Sequence, residues 1–134
     1  MSSDLWIRWA EDSLEDVSWI SASLFDKKSA NTEMLALCLA IAVKYSCPRK
    51  ESYKPSNTGP RTGTKDEKLR VIMATTLLAE FGAEKIADID DSVIETTLQH
   101  YANGGLKKLA SLLEDSDDKM GALVATLEGL MAAN

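Results

Sequence analysis

The sequence predicts an all-α protein: a compact bundle of five or six helices around a central apolar helix at about 33–46, with one long basic loop at about 47–64. Three observations lead there. Ten residues, Met34 to Val43, carry no polar side chain and are rich in Met, Leu and Ala, which favours helix over strand. Elsewhere the apolar residues recur at spacings of three and four, and no stretch reads as an alternating strand. All three prolines and two of the seven glycines fall between Cys47 and Gly63, so the helix breakers are gathered in one place.

The first helix is expected from about Asp4 to Phe25. Ser2 or Ser3 would cap it, and Leu5, Trp6, Trp9, Ala10, Leu14, Val17, Ile20 and Leu24 form its apolar face. Ser13, with Glu15 and Asp16 after it, offers a restart near Asp12–Ser13. Asp26 to Ala30 is a polar turn. The central helix follows, with Asn31 or Thr32 as its cap and Glu33 in its first turn. It is roughly half the ~20 residues needed to cross a bilayer, so it belongs in a protein core. It runs to about Ser46, and Pro48 stops it.

Beyond the loop, Thr64 and Glu67 match a capping box, and the next helix reaches Phe81 with Gly82 as its C′ residue. Leu69, Ile72, Met73, Thr76 and Leu77 mark one face; Val71, Leu78 and Ala79 make the helix nearly two-sided. Ala83 to Ile89 has room for one helical turn. Asp90, Asp91 or Ser92 caps the next segment, whose stripe is Ile94, Leu98 and Tyr101. Asn103-Gly104-Gly105 reads as a sharp corner with Tyr101 packed on it. A helix resumes at Leu106, and a last one follows Asp115-Ser116-Asp117-Asp118.

The length of 134 residues suits one domain, 1–134, long enough for its own core. Net charge is −6, against a protein basic throughout. The charge is segregated. Lys44 to Arg70 holds eight cations against three anions, net +5, which leaves −11 for the remainder. Lys44, Arg49, Lys50, Lys54, Arg61 and Lys65 are therefore the candidate contacts to a phosphate backbone or an acidic partner surface. Two cysteines, Cys38 and Cys47, make no disulfide framework and suit a reducing cytoplasm. The N-terminus has no signal-peptide pattern, and no membrane segment is expected.

No motif names a reaction. His100 is the sole histidine, so neither a metal cluster nor a nucleophile–base pair is expected, and no cofactor. Gly59 and Gly63 lack the Gly-Lys-Ser/Thr ending of a phosphate loop. Trp9 to Val17 is similar to the first helix of small HEPN ribonucleases, but His100 has no arginine a few residues upstream, as their catalytic signature requires.

A second likeness is better placed. The apolar helix running into Val43-Lys44-Tyr45 and basic residues, together with Leu98-Gln99-His100-Tyr101-Ala102-Asn103-Gly104-Gly105-Leu106, resembles the small helical accessory proteins of DNA-phosphorothioation-linked (Dnd-type) restriction operons. It also resembles the related small subunits of ABC-ATPase three-component anti-phage systems. In those proteins a Tyr-Ala-Asn-x-Gly turn follows acidic residues, where Gln99 and His100 stand here. The resemblance spans roughly Thr32 to Leu113. It implies a non-catalytic adaptor in a defence complex beside an ATPase and a nuclease, with Tyr101, Asn103, Gly104 and Gly105 as an interface or structural turn. DNA or RNA contact through the basic loop would be compatible with that role. The alternatives are a stand-alone nucleic-acid-binding module and an acidic phage-type inhibitor of a host protein.

Overall fold

A computed structural model describes residues 5–26, 31–61 and 67–132. Among them lie five α-helices: α1 (Leu14–Phe25), α2 (Asn31–Lys44), α3 (Glu67–Phe81), α4 (Asp91–Leu113) and α5 (Lys119–Ala132). Short 3-10 turns occupy Glu11–Ser13 and Ile86–Asp88. The molecule is the expected all-α bundle. The expected caps at Ser2, Ser3 and Thr64 lie outside the described residues, as does Lys65.

The centre is the pairing of α2 with α4, the most extensive contact between elements, and α3 packs against α2 and, less extensively, α4. Met34, Leu35, Cys38 and Leu39 of α2 share one buried cluster with Leu98, Ala102, Leu106 and Leu109 of α4 and Leu69, Met73 and Leu77 of α3, and Ile41 and Ala42 of α2 are buried as well. Each such leucine, isoleucine or methionine contributes roughly 1.5–3 kcal/mol by leaving water. The end of α2 is built locally. Ser46 takes a left-handed φ of 51°, Cys47 N–H donates to Ala42 and Ser46 N–H to Val43. That is a Schellman turn, which satisfies carbonyls the helix leaves open. Gly82 ends α3 at φ 82°, as its position after Phe81 predicts.

Two expectations are overturned. The first helix does not begin near Asp4. Residues 5–10 are extended, and α1 starts only at Leu14 after the 3-10 turn. Leu5, Ile7 and Trp9 alternate inward while Trp6 and Arg8 stay half-buried, the period of an extended chain. Trp9 is fully buried and its indole N–H donates to Asn31 Oδ1 at the start of α2, 3.0 Å away.

The second concerns the corner at Asn103-Gly104-Gly105. There is none: α4 continues through it for 23 residues. The glycines serve close approach instead. A β-carbon at Gly105 would collide with the Cys38 carbonyl of α2, and one at Gly104 with the Pro48 carbonyl. The two central helices cross where one has no side chain.

Candidate functional site

Residues 5–10 and the long loop form one structure on the surface of α4. On one edge, the amides of Ile7, Trp9 and Glu11 donate to the carbonyls of Pro60, Thr58 and Lys54, and Ser56 N–H returns a bond to Trp9. These are isolated antiparallel bridges, at Trp6–Arg61 and Ala10–Pro55. On the other edge, the amides of Trp6, Arg8 and Ala10 donate to side chains of α4: Glu95 at 3.0 Å, Gln99 at 2.8 Å and Asn103 at 2.7 Å. The periods match. Four helical residues advance about 6 Å and two extended residues about 6.6 Å, so three helix side chains keep step with three alternate amides.

Asn103 completes the ladder. It is fully buried, and its amide nitrogen donates to the carbonyls of Arg8 at 3.2 Å and Gln99 at 2.9 Å. Gln99 also donates to the Tyr53 hydroxyl at 3.0 Å, which ties the loop to the same helix. Tyr53 stacks edge-on against His100, with ring centroids 5.8 Å apart. Burial pushes the Tyr53 phenol up and the His100 imidazole down from their ordinary values.

The predicted cations are scattered by this arrangement. Arg49 pairs with Glu51 at 3.1 Å and with Glu80, and its guanidinium lies over the Tyr101 ring at 5.9 Å. Tyr101 donates to Glu80 at 2.7 Å, and burial with that carboxylate raises its phenol pKa. Lys54 pairs with Glu11 at 3.5 Å. Arg61 lies over one side of Trp6 at 4.9 Å, with Arg8 at 4.8 Å from the same ring. Lys44 is exposed in the last turn of α2. Much of the loop's positive charge therefore holds the loop in place. Asn103, Gly104 and Gly105 are buried, so they meet the protein's own chain and no partner. Tyr101 alone of that group is half-exposed.

Two of the exposed surfaces bear on contact, and Val93, Met120 and Val124 are exposed apolar residues outside both. One is a cleft of about 600 Å³ between residues 47–52 and the C-terminal half of α4, where Arg49 and Lys50 meet Lys107 and Lys108. The two lysines were not singled out in the sequence; the signal was their adjacency in Leu106-Lys107-Lys108-Leu109. Lys50 Nζ reaches Asp12 at 2.7 Å, and that bond holds the Asp12 carboxyl below its ordinary value. Cys47 lies in the wall, its thiol pushed up by burial while Lys108 pulls it down. Cys38 is fully buried and raised far above a reactive range.

The other surface is the outer face of α3. Val71 is 63% exposed and Leu78 45%, two turns apart on one side, with Thr75 between them and Ala79 beside them also exposed. Thr75 turns its hydroxyl back onto the Val71 carbonyl at 2.8 Å, so the polar atom within this ridge is already used.

Among the described residues, no group of three or more His, Cys, Asp or Glu side chains is placed to hold a metal. No helix among them is long and apolar enough to cross a membrane. No family model, curated protein or solved structure matches the chain.

Proposed function

We propose that this protein is a non-catalytic accessory subunit that docks onto a larger subunit, an ATPase or nuclease, of a prokaryotic anti-phage complex. The observation that carries the reading is the outer ridge of α3. A helix that needs one apolar face to join its bundle carries a second, at Val71 and Leu78, facing solvent. Exposed apolar patches on a folded domain mark contact surfaces. The family resemblance supplies the kind of partner. The residues that carry it, Asn103, Gly104 and Gly105, hold α4 against α2, the loop and residues 5–10, so they suit a shared fold signature.

Co-purification with the products of adjacent genes tests the proposal. Tagged wild-type protein is expected to retain one of them. A V71E/L78E variant is expected to lose it while its thermal midpoint moves little, since exposed substitutions usually change stability by under about 0.5 kcal/mol. A partner retained by the variant, or no partner for the wild type, contradicts docking through α3.

A further inference from the structure

The second surface leads to a separate function. We propose that the cleft between residues 47–52 and the C-terminal half of α4 binds the phosphodiester backbone of a nucleic-acid strand. It does not depend on docking through α3.

The local charge differs from the total. In a chain of net −6, four cations converge on one concavity, and among the described residues Asp12 is the only carboxylate in its lining. Their availability differs. Arg49 is committed to Glu51 and Glu80, and Lys50 to Asp12. Lys107 and Lys108 have no carboxylate within ion-pair distance among the described residues. Lys107 is exposed; Lys108 is half-buried, its ammonium 4.9 Å from the Tyr45 ring, which holds it at the wall. Ser52 and Ser111, each with a hydroxyl that can donate, line the same cleft. Ammonium and hydroxyl donors around a concave floor suit phosphate oxygens, which accept from both.

Asp12 gives the site an internal competitor. Its carboxylate already occupies Lys50, where a phosphate oxygen would bind. An entering strand must displace that carboxylate or accept its repulsion. Neutralising Asp12 should therefore strengthen binding, an effect that misfolding does not produce.

The test uses the full chain and labelled twenty-nucleotide single-stranded DNA, the same sequence as RNA, and its DNA duplex, each titrated over a salt series. Binding of a strand is expected, falling with salt at a log–log slope of about −2 for three phosphates on single strands. K107Q/K108Q should weaken it by about tenfold or more at low salt, and D12N should tighten it by about threefold. R70Q/K85Q removes the same charge at two exposed positions outside the cleft lining, one in α3 and one just before the Ile86–Asp88 turn. That variant should stay within about twofold of wild type. The three probes tell which nucleic acid supplies the phosphates. Absence of binding to all three, equal losses in both double variants, or no gain in D12N overturns the proposal. So does polyglutamate bound as tightly as the strands with the same need for Lys107, which would assign the cleft to an acidic protein surface.

Discussion

Asn103 ties three backbone groups together from a fully buried position. One buried side chain accepts from Ala10 and donates to Arg8 and Gln99. N103A leaves the Ala10 amide and the Arg8 carbonyl without this partner and should cost about 2–4 kcal/mol in urea unfolding; a loss under about 1 kcal/mol would mean residues 5–10 are held by other means. Gly105 makes a sharper case because the sign reverses. Within a helix, Gly to Ala ordinarily stabilises by roughly 0.5–1 kcal/mol. Here the added carbon meets the Cys38 backbone, so G105A should destabilise by about 2 kcal/mol or more. A neutral or stabilising result would mean the α2–α4 crossing can spread without loss.

His100 gives a prediction in pH. Burial, with Arg49 assisting and Glu51 opposing, holds its folded pKa below the ordinary 6.5. The unfolded chain therefore binds the proton more readily, and stability falls as pH drops through about 6.5 toward the folded value. Chemical denaturation at stepped pH should show that loss, and H100Q should flatten it in this window. An unchanged slope in H100Q assigns it to other groups.

At the scale of elements, residues 5–10 explain both what was legible and what was not. Helices at 31–44, 67–81 and 119–132 follow from apolar spacing and from breakers at Pro48 and Gly82. Residues 5–10 are ambiguous in the sequence because Leu5, Trp6 and Trp9 fit a helix stripe while Leu5, Ile7 and Trp9 fit an alternation equally well. Six residues are too few for period alone to decide. The deciding partners, the loop and the Glu95-Gln99-Asn103 ladder, lie 45 or more residues away in sequence. Gly104 and Gly105 misled for a related reason: a glycine pair signals a turn locally, and only the neighbouring backbone shows that it permits a crossing. Amide exchange can test the two-edged strap. The amides from Trp6 to Glu11 should all be protected, and E95A/Q99A should expose Trp6 and Arg8 while Ile7 and Trp9 stay slower. Uniform fast exchange in the wild type would contradict it.

For the whole molecule, the basic segment was visible in composition, but its arrangement was not. Charge counting cannot tell that Arg49, Lys50 and Lys54 are paired within the chain, or that Lys107 and Lys108 from another helix complete the cleft. The outer apolar ridge was half legible, in the two-sided pattern of α3; which side faces out depended on where α2 lay. The bundle thus presents an apolar ridge and a cationic cleft on a scaffold whose buried polar ladder holds residues 5–10 and the loop in place.

Light scattering on the chain co-expressed with its gene neighbours tests docking most directly. An accessory subunit gives a peak at the summed mass of this chain and a neighbour, and V71E/L78E returns the chain to 14.6 kDa. A wild-type chain at 14.6 kDa beside every neighbour, or a complex that persists intact in the double variant, contradicts it.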